Sequence, residues 1–303
     1  FAKLAPSKPR NITESFNLDV NAIVLDSRTM DLEGFATGAT PTTPVPEERS
    51  EQTISLNGVI YTTILNPLDG RKNWTDIIWT FGWAFRDIED ATLVFKITHC
   101  GAPDVLRKLA FEFYKLSPFK CRFLVIDGYL LDESYENLAK YSTYTVNASR
   151  GEGQCLPLME YMSCGKPAIA PRHTGMMDYI NKDNAFIVDC GVEPTSWPND
   201  PRQASRTLRY RINFSSLVNA YTASYLVAKK KPRKYLSMSK AAKMSLEKHC
   251  SMANTINRLQ EFFDYHQNMF QHFYYQTEAH QLSFKGAPKN SFIKRKKAAS
   301  FEE

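Results

Sequence analysis

Apolar residues in this chain follow two rhythms that alternate from residue 59 to about residue 190. Short runs rich in β-branched and aromatic residues predict strands at Val59–Leu65, 93–97 and Arg122–Asp127. Between them Trp74, Ile77, Ile78, Phe81 and Phe85 recur at helical spacing. Asn73, with Asp76 three residues on, suits the start of that helix as a capping box. Residues 105–116 and 133–141 read as further helices, and 144–147 as a strand. A helix over 157–164 with Gly165 as its stop, a strand at 168–170, a short helix near 176–180 and a strand at 185–189 complete the series. Strands alternating with helices predict an α/β fold, a doubly wound and mostly parallel sheet covered on both faces. Ligands of such sheets bind beyond the carboxyl ends of the strands.

Outside that stretch the pattern changes. Residues 1–57 carry one short apolar run, Ala22-Ile23-Val24-Leu25, which predicts a single strand. Thr, Pro and Glu crowd residues 37–50, a composition that reads as an extended connector. The chain begins at Phe1 rather than Met, so residues 1–57 read as the remnant of a preceding domain with its Pro-rich linker. Residues 58–195 form the sheet domain. Residues 196–282 read as helical, with regular spacing over 214–228 and 236–267. They include an aromatic stretch (Phe262, Phe263, Phe270, Phe273, Tyr274, Tyr275) expected to pack against the rest of the protein. Residues 283–303 are polar and basic and read as a disordered tail.

The chemistry concentrates in Ser149-Arg150-Gly151-Glu152-Gly153-Gln154-Cys155-Leu156-Pro157-Leu158-Met159-Glu160. Gly151 and Gly153 suit a turn, and proline favours the first turn of a helix. The amides of Gly153, Gln154, Cys155 and Leu156 are expected to lie unpaired just before that helix, where the peptide dipoles add positive potential. Glu152 sits in the turn and Glu160 in the helix. Carboxylates accept hydrogen bonds from hydroxyls and repel phosphates. The run therefore suits a diphosphate on the amides and the hydroxyls of a sugar and a ribose on the two acids. An acid near a helix start is also ordinary surface electrostatics, and spacing alone leaves both readings open.

Glu-Gly-x-x-Leu-Pro-x-x-Glu, followed by Met162-Ser163-Cys164-Gly165-Lys166-Pro167-Ala168-Ile169-Ala170, resembles the signature of retaining GT-B glycosyltransferases of family 4. That pattern usually reads Glu-Gly-Phe-Gly-Leu-Pro, then Ala-x-Ala-x-Gly-x-Pro-Val. Here Gln154 and Cys155 replace the Phe-Gly pair, and Tyr161 replaces an alanine. The resemblance covers roughly residues 58–265. It implies the C-terminal, donor-binding domain of a hexosyltransferase, with Rossmann-like topology and a last helix crossing toward the N-terminal domain. The implied substrates are a UDP- or GDP-sugar and a glycan or lipid-linked glycan acceptor, as in cell-surface polysaccharide synthesis. The resemblance also implies Glu152 at the donor sugar and Glu160 at the ribose hydroxyls.

Arg71-Lys72 lies between the first sheet strand and its helix, where two cations beside free amides make a phosphate site. The resemblance implies that such a basic pair holds the donor diphosphate. Gly128-Tyr129-Leu130 occupies the place where the family meets the nucleotide base. Tyr129 either stacks on that base or packs as a surface tyrosine. His173 either approaches the sugar or is structural. Asp178 reads as a helix-surface acid. No Asp-x-Asp metal motif occurs, so no metal cofactor is expected.

Composition narrows the partners. The net charge is +6 with a pI near 8.9, and basic runs stand at 229–234 and 294–297. That balance suits an anionic nucleotide sugar and a peripheral contact at the inner face of the cytoplasmic membrane. No nucleic-acid-binding module is recognisable. Six cysteines without CxxC pairing read as free thiols of a cytoplasmic protein. Two rival functions share the alternating pattern. A dinucleotide oxidoreductase needs Gly-x-Gly-x-x-Gly after its first strand, which residues 66–73 lack. A non-catalytic nucleotide-sugar-binding or scaffold module needs only the fold.

Overall fold

The computed structural model describes residues 11–97, 103–196 and 200–283. The tail after Ser283, Cys100 and the side chains of Phe270, Phe273, Tyr274 and Tyr275 lie outside the described residues. The chain divides into one compact unit through Ser251 and a second from Met252.

The strand expected at Ala22-Ile23-Val24-Leu25 is present and starts earlier, at Phe16: polar residues at every second position hide its first half from a search for apolar runs. β1 (Phe16–Asp26) buries Leu18, Val20 and Ala22, while Asn17, Asp19 and Asn21 face water. That alternation suits an antiparallel strand with one solvated face. Asp31 caps the short helix α1 (Leu32–Thr37), its carboxylate accepting from the Gly34 amide at 2.8 Å. β2 (Ser50–Leu56) then pairs antiparallel with β1. The segment read as remnant and connector thus contributes two strands to the sheet.

Next come β3 (Val59–Leu65), α2 (Trp74–Phe85), β4 (Ala91–Ile97), α3 (Pro103–Leu116), β5 (Arg122–Asp127), α4 (Asp132–Tyr141), β6 (Tyr144–Val146), α5 (Leu156–Ser163), β7 (Ala168–Pro171) and β8 (Ala185–Val188). The sheet order is β2-β1-β5-β4-β3-β6-β7-β8, and β3 to β8 run parallel. β1 joins antiparallel beside β5, where a buried Arg122–Asp26 ion pair of 2.6 Å fastens it. The predicted doubly wound, mostly parallel α/β sheet is therefore present, with an antiparallel ribbon at one edge.

Alternate residues of the central strands bury opposite faces. Val59, Tyr61 and Leu65 of β3 join Leu93, Phe95, Phe123 and Val125 in one cluster with α2, α3 and the helix α6 (Phe214–Lys230). Ile60, Val94, Leu124 and Ile126 pack on the other face with β1, β2 and Leu138 of α4. Tyr61 is the hub of the first cluster, with Phe81, Phe85, Tyr144 and Tyr221 ring centroids 5.4 to 5.6 Å away. Truncating such a buried aromatic costs about 3–5 kcal/mol, so Tyr61→Ala is expected to loosen the packing on this face of the sheet.

Three local expectations are corrected. Asn73 sits at the N-cap position of α2 with a left-handed φ of 53° and makes no side-chain cap. Its Nδ2 donates instead to Asp76 Oδ2 at 2.8 Å and to the Ala148 carbonyl at 3.2 Å. The chain after residue 195 is not wholly helical: β10 (Arg206–Ile212) folds back antiparallel on β9 (Cys190–Ser196), in register Cys190↔Ile212. Gly191 and Pro194 are poor strand formers and mask β9. Lastly, the long helix expected over 236–267 is two, α7 (Pro232–Cys250) and α8 (Met252–Ser283), because Ser251 turns extended at ψ 151°. Within α8, the rings of Phe262 and Phe263 meet edge to face at 5.6 Å. No described helix is long and apolar enough to cross a membrane.

Candidate functional site

β3 leads through α2 to β4 on one side, while β6 lies on its other side and leads away to β7 and β8. The strand order thus reverses between β3 and β6, and a crevice opens beyond their carboxyl ends. The loops after these two strands fill it: residues 66–73 and 147–155.

The first loop is built by its own side chains. Asn66 Oδ1 accepts from the Leu68 amide at 3.0 Å, and Asp69 Oδ1 from the Arg71 amide at 3.0 Å. These bonds start a single 3₁₀ turn, Gly70–Lys72, so Arg71 and Lys72 precede α2 by a turn of their own. The second loop docks on it, the Arg150 amide donating to the Arg71 carbonyl at 2.8 Å.

Glu152 is the centre of this contact and is almost fully buried. Lys72 Nζ donates to its Oε1 at 2.7 Å and Arg71 Nη1 to its Oε2 at 3.2 Å. The Ser149 hydroxyl also donates to Oε1, and Asn147 Nδ2 reaches it at 3.4 Å. Burial pushes the Glu152 carboxyl up, but Lys72, Ser149 and Arg71 together outweigh it and hold the group below the usual carboxylate range. Arg71 also donates to the Gly151 carbonyl at 2.6 Å and to Asp69 Oδ2 at 2.9 Å. Burial pulls the Arg71 guanidinium down, and Glu152 and Asp69 more than reverse it. Glu152 and Asp69 thus meet two cations, Arg71 and Lys72, while Arg150 Nη2 donates to Asn73 Oδ1 at 3.1 Å.

The motif backbone continues from Glu152. Its amide donates to Thr174 Oγ1 at 3.0 Å, and its carbonyl accepts from the Gly175 amide at 3.1 Å. Cys155 turns left-handed at φ 57° to launch α5. Burial, with the nearby Glu152, pushes its thiol up to about 12, so it stays protonated. The amides of Gly153, Gln154, Cys155 and Leu156 donate to no described residue.

Other expected site residues lie apart from this cluster. Glu160, on α5, accepts a short hydrogen bond from the Tyr135 hydroxyl of α4. Gly128 leaves β5 with φ 152°, and Leu130 is buried among Val20, Leu124 and Leu138. Leu130 is thus chiefly a core residue. Tyr129 is exposed, and with Asp19, Asn21, Glu51 and Gln52 it lines a separate cavity of about 400 Å³. His173 does not face a free sugar space: it is buried, and its Nε2 meets the Ser149 carbonyl at 2.8 Å and its Nδ1 Thr174 Oγ1 at 3.0 Å. Burial pulls its pKa below the usual value. Its ring stacks on Tyr210 of β10 at 4.4 Å, so it braces the Ser149–Glu152 loop.

The hairpin is the part of the site that sequence reading missed. The Tyr210 amide donates to the Arg150 carbonyl at 2.8 Å, fixing β10 against the loop. Beside that contact lies a cavity of about 870 Å³, walled by Asp69, Arg71, Arg150 and Glu152 on one side and by the hairpin on the other. The alternation Leu208, Tyr210, Ile212 between arginines was the available signal.

No known family profile matches the chain, and no curated protein does. Solved structures do. Sucrose-phosphate synthase from Thermosynechococcus elongatus is 15% identical, at TM-score 0.46, over 70% of this chain and 46% of its own. HepE of Anabaena, solved with UDP and glucose, is 13% identical, at TM-score 0.48, over 68% and 48%. The C-terminal domain of the glycosyl transferase group 1 protein LpcC from Francisella tularensis is 15% identical, at TM-score 0.41, over 62% and 84%. The chain spans about half the length of the first two.

Proposed function

We propose that this chain binds a nucleoside-diphosphate sugar and forms the donor half of a glycosyltransferase that moves the sugar to a hydroxyl of a glycan acceptor. The observation that carries this reading is the meeting of Arg71 and Lys72 with Glu152 at the strand-order reversal, next to the unpaired amides of 153–156.

Cleaving the bond between sugar and diphosphate builds negative charge on the leaving phosphate. Fixed donors at that point lower the barrier because they need no reorganisation as charge develops. Lys72, Arg71 and the loop amides fill that role, and the reading calls for no divalent ion. Glu152 accepts a hydroxyl of the transferred sugar, and Glu160 meets the ribose. Transfer with retention, assisted by the leaving phosphate on the same face, follows the family resemblance. A growing polysaccharide or lipid-linked glycan at the inner membrane face suits the exposed basic residues Lys230, Lys231, Arg233 and Lys234 at the α6–α7 junction.

The test is calorimetry of the chain with UDP, GDP, ADP and dTDP. At least one should bind and Lys72→Ala should weaken it, while Glu152→Gln should weaken the corresponding nucleotide sugar more than the bare nucleotide. Absence of binding by every nucleotide, or wild-type affinity in both variants, overturns the reading.

A further inference from the structure

The large cavity extends beyond the Arg71–Glu152 cluster. Its far wall runs along Thr195, Asp200, Gln203, Thr207 and Arg209 of the hairpin region, the Asp200 carboxylate being held by the Arg202, Ala204 and Ser205 amides, and neither Glu160 nor residues 128–130 line it. Granted the proposed function, on which this inference rests, the nucleoside end of the donor lies elsewhere. The cavity then begins where the transferred sugar sits and continues toward whatever receives it.

The chemistry of that wall is specific. Arg209 Nε donates to Glu193 Oε1 at 2.6 Å, while its two terminal nitrogens donate to no described residue. A guanidinium carries five N–H donors in a rigid fork, which matches the paired oxygens of a carboxylate or phosphate. Thr195, Gln203 and Thr207 add hydroxyl and amide groups of the kind that hydrogen-bond sugar hydroxyls. The wall is also fixed to the site. The residue after Arg209 is Tyr210, whose amide holds the Arg150 carbonyl and whose ring stacks on His173. An acceptor held by Arg209 is thereby placed in register with the Glu152 loop.

We propose that the β9–β10 hairpin is an acceptor wall that selects a glycan bearing a negative group, and that Arg209 recognises that group, either a sugar carboxylate or a sugar phosphate. Binding to the whole chain is measured with UDP present, so that the diphosphate site is filled, and again without it. Trigalacturonate is compared with maltotriose, and glucose 1-phosphate with glucose. The pair showing the preference identifies carboxylate or phosphate as the source of charge.

The expected result is a preference of roughly tenfold or more for one anionic probe over its neutral partner, as a charge-assisted bidentate contact provides. Arg209→Gln abolishes that preference. Glu193→Gln, which releases the guanidinium from its internal partner, strengthens it, an opposite change that a merely unfolded hairpin does not produce. UDP affinity stays at the wild-type level in both variants. The proposal is overturned if no anionic probe is preferred, if Arg209→Gln keeps the preference, or if both variants lose it. It is also overturned if Arg209→Gln weakens UDP as Lys72→Ala does, which assigns Arg209 to the donor. Failure of wild-type protein to bind any nucleotide instead removes the donor reading, whatever the anion preference.

Discussion

Lys72 Nζ lies 2.7 Å from Glu152 Oε1, although the two residues are 80 positions apart in the chain. Both side chains are mostly buried, at 17% and 5% exposure. Desolvating two charges offsets much of their attraction, so such a pair is weak support for stability on its own. Its position at the strand-order reversal, beside amides that donate to no described residue, fits the proposed reading, in which a ligand shares the cations.

Lys72→Ala should weaken nucleoside-diphosphate affinity by about 1–3 kcal/mol, the range for a charge-assisted hydrogen bond. It should also lower the melting temperature, because Glu152 keeps its burial and loses its nearest cation. The double variant Lys72→Ala with Glu152→Gln removes both charges and should regain part of the lost stability without regaining affinity. Calorimetry and thermal melts read the two effects separately. Recovery of binding in the double variant marks the pair as purely structural.

Acid should destabilise the fold in two stages. Burial holds His173 below its ordinary pKa, so the unfolded chain takes up this proton first as pH falls. Stability from His173 is present above about pH 6.5 and is lost as pH drops toward the lowered folded value. For Glu152, burial acts upward, but Lys72, Ser149 and Arg71 prevail and the folded value is lowered. Its contribution is present above about pH 4.3 and is lost as pH falls through that lowered value. Urea unfolding across this range should show both losses, His173→Gln removing the upper and Glu152→Gln flattening the lower. An unchanged profile in either variant contradicts the assignment.

Legibility followed burial pattern. Val59–Leu65 and Arg122–Asp127 were readable to the residue because parallel strands covered on both faces are continuous apolar runs. The first half of β1 escaped because Asn17, Asp19 and Asn21 interrupt its apolar residues, the signature of a strand with one wet face, while the run Ala22-Ile23-Val24-Leu25 was legible. Arg71, Lys72 and Glu152 could be named from chain position relative to the strands. The braces behind them could not. Thr174 and Tyr210 reach the site through hydroxyl, backbone and ring contacts across loops, which leave no period in sequence. For His173 the sequence left a sugar contact and a structural role both open, and the engagement of both ring nitrogens supports the structural one.

Tyr135 gives Glu160 a hydroxyl partner from the neighbouring helix and so sets where that carboxylate points. If Glu160 meets the ribose, Tyr135→Phe should weaken UDP by about 0.5–1.5 kcal/mol, the net worth of one hydrogen bond. Binding of 2′-deoxy-UDP should change less, because part of the contact is already missing. Equal weakening of both nucleotides removes Tyr135 and Glu160 from ribose recognition.

The glycines around the motif separate packing from ligand approach. A Cβ on Gly175 would stand 1.5 Å from the Gly153 carbonyl oxygen and 2.6 Å from its carbon. Gly175→Ala must therefore push the 152–155 loop away, at a cost of about 1–3 kcal/mol for overpacking, and should lower melting temperature and nucleotide affinity together. Gly153 is different: a Cβ there would have no neighbouring atom within 4 Å, and the residue does not adopt a left-handed φ. Alanine at this position meets no protein atom, and lower entropy of the unfolded chain favours the fold by about 0.4–1 kcal/mol. A diphosphate resting on the amides of 153–156 would meet that methyl group. Gly153→Ala should accordingly melt no lower than wild type yet bind UDP roughly tenfold more weakly, a change of about 1.4 kcal/mol. Full affinity in a folded Gly153→Ala protein means that no ligand comes close to this backbone, and the diphosphate must then be sought on Arg71 and Lys72 alone.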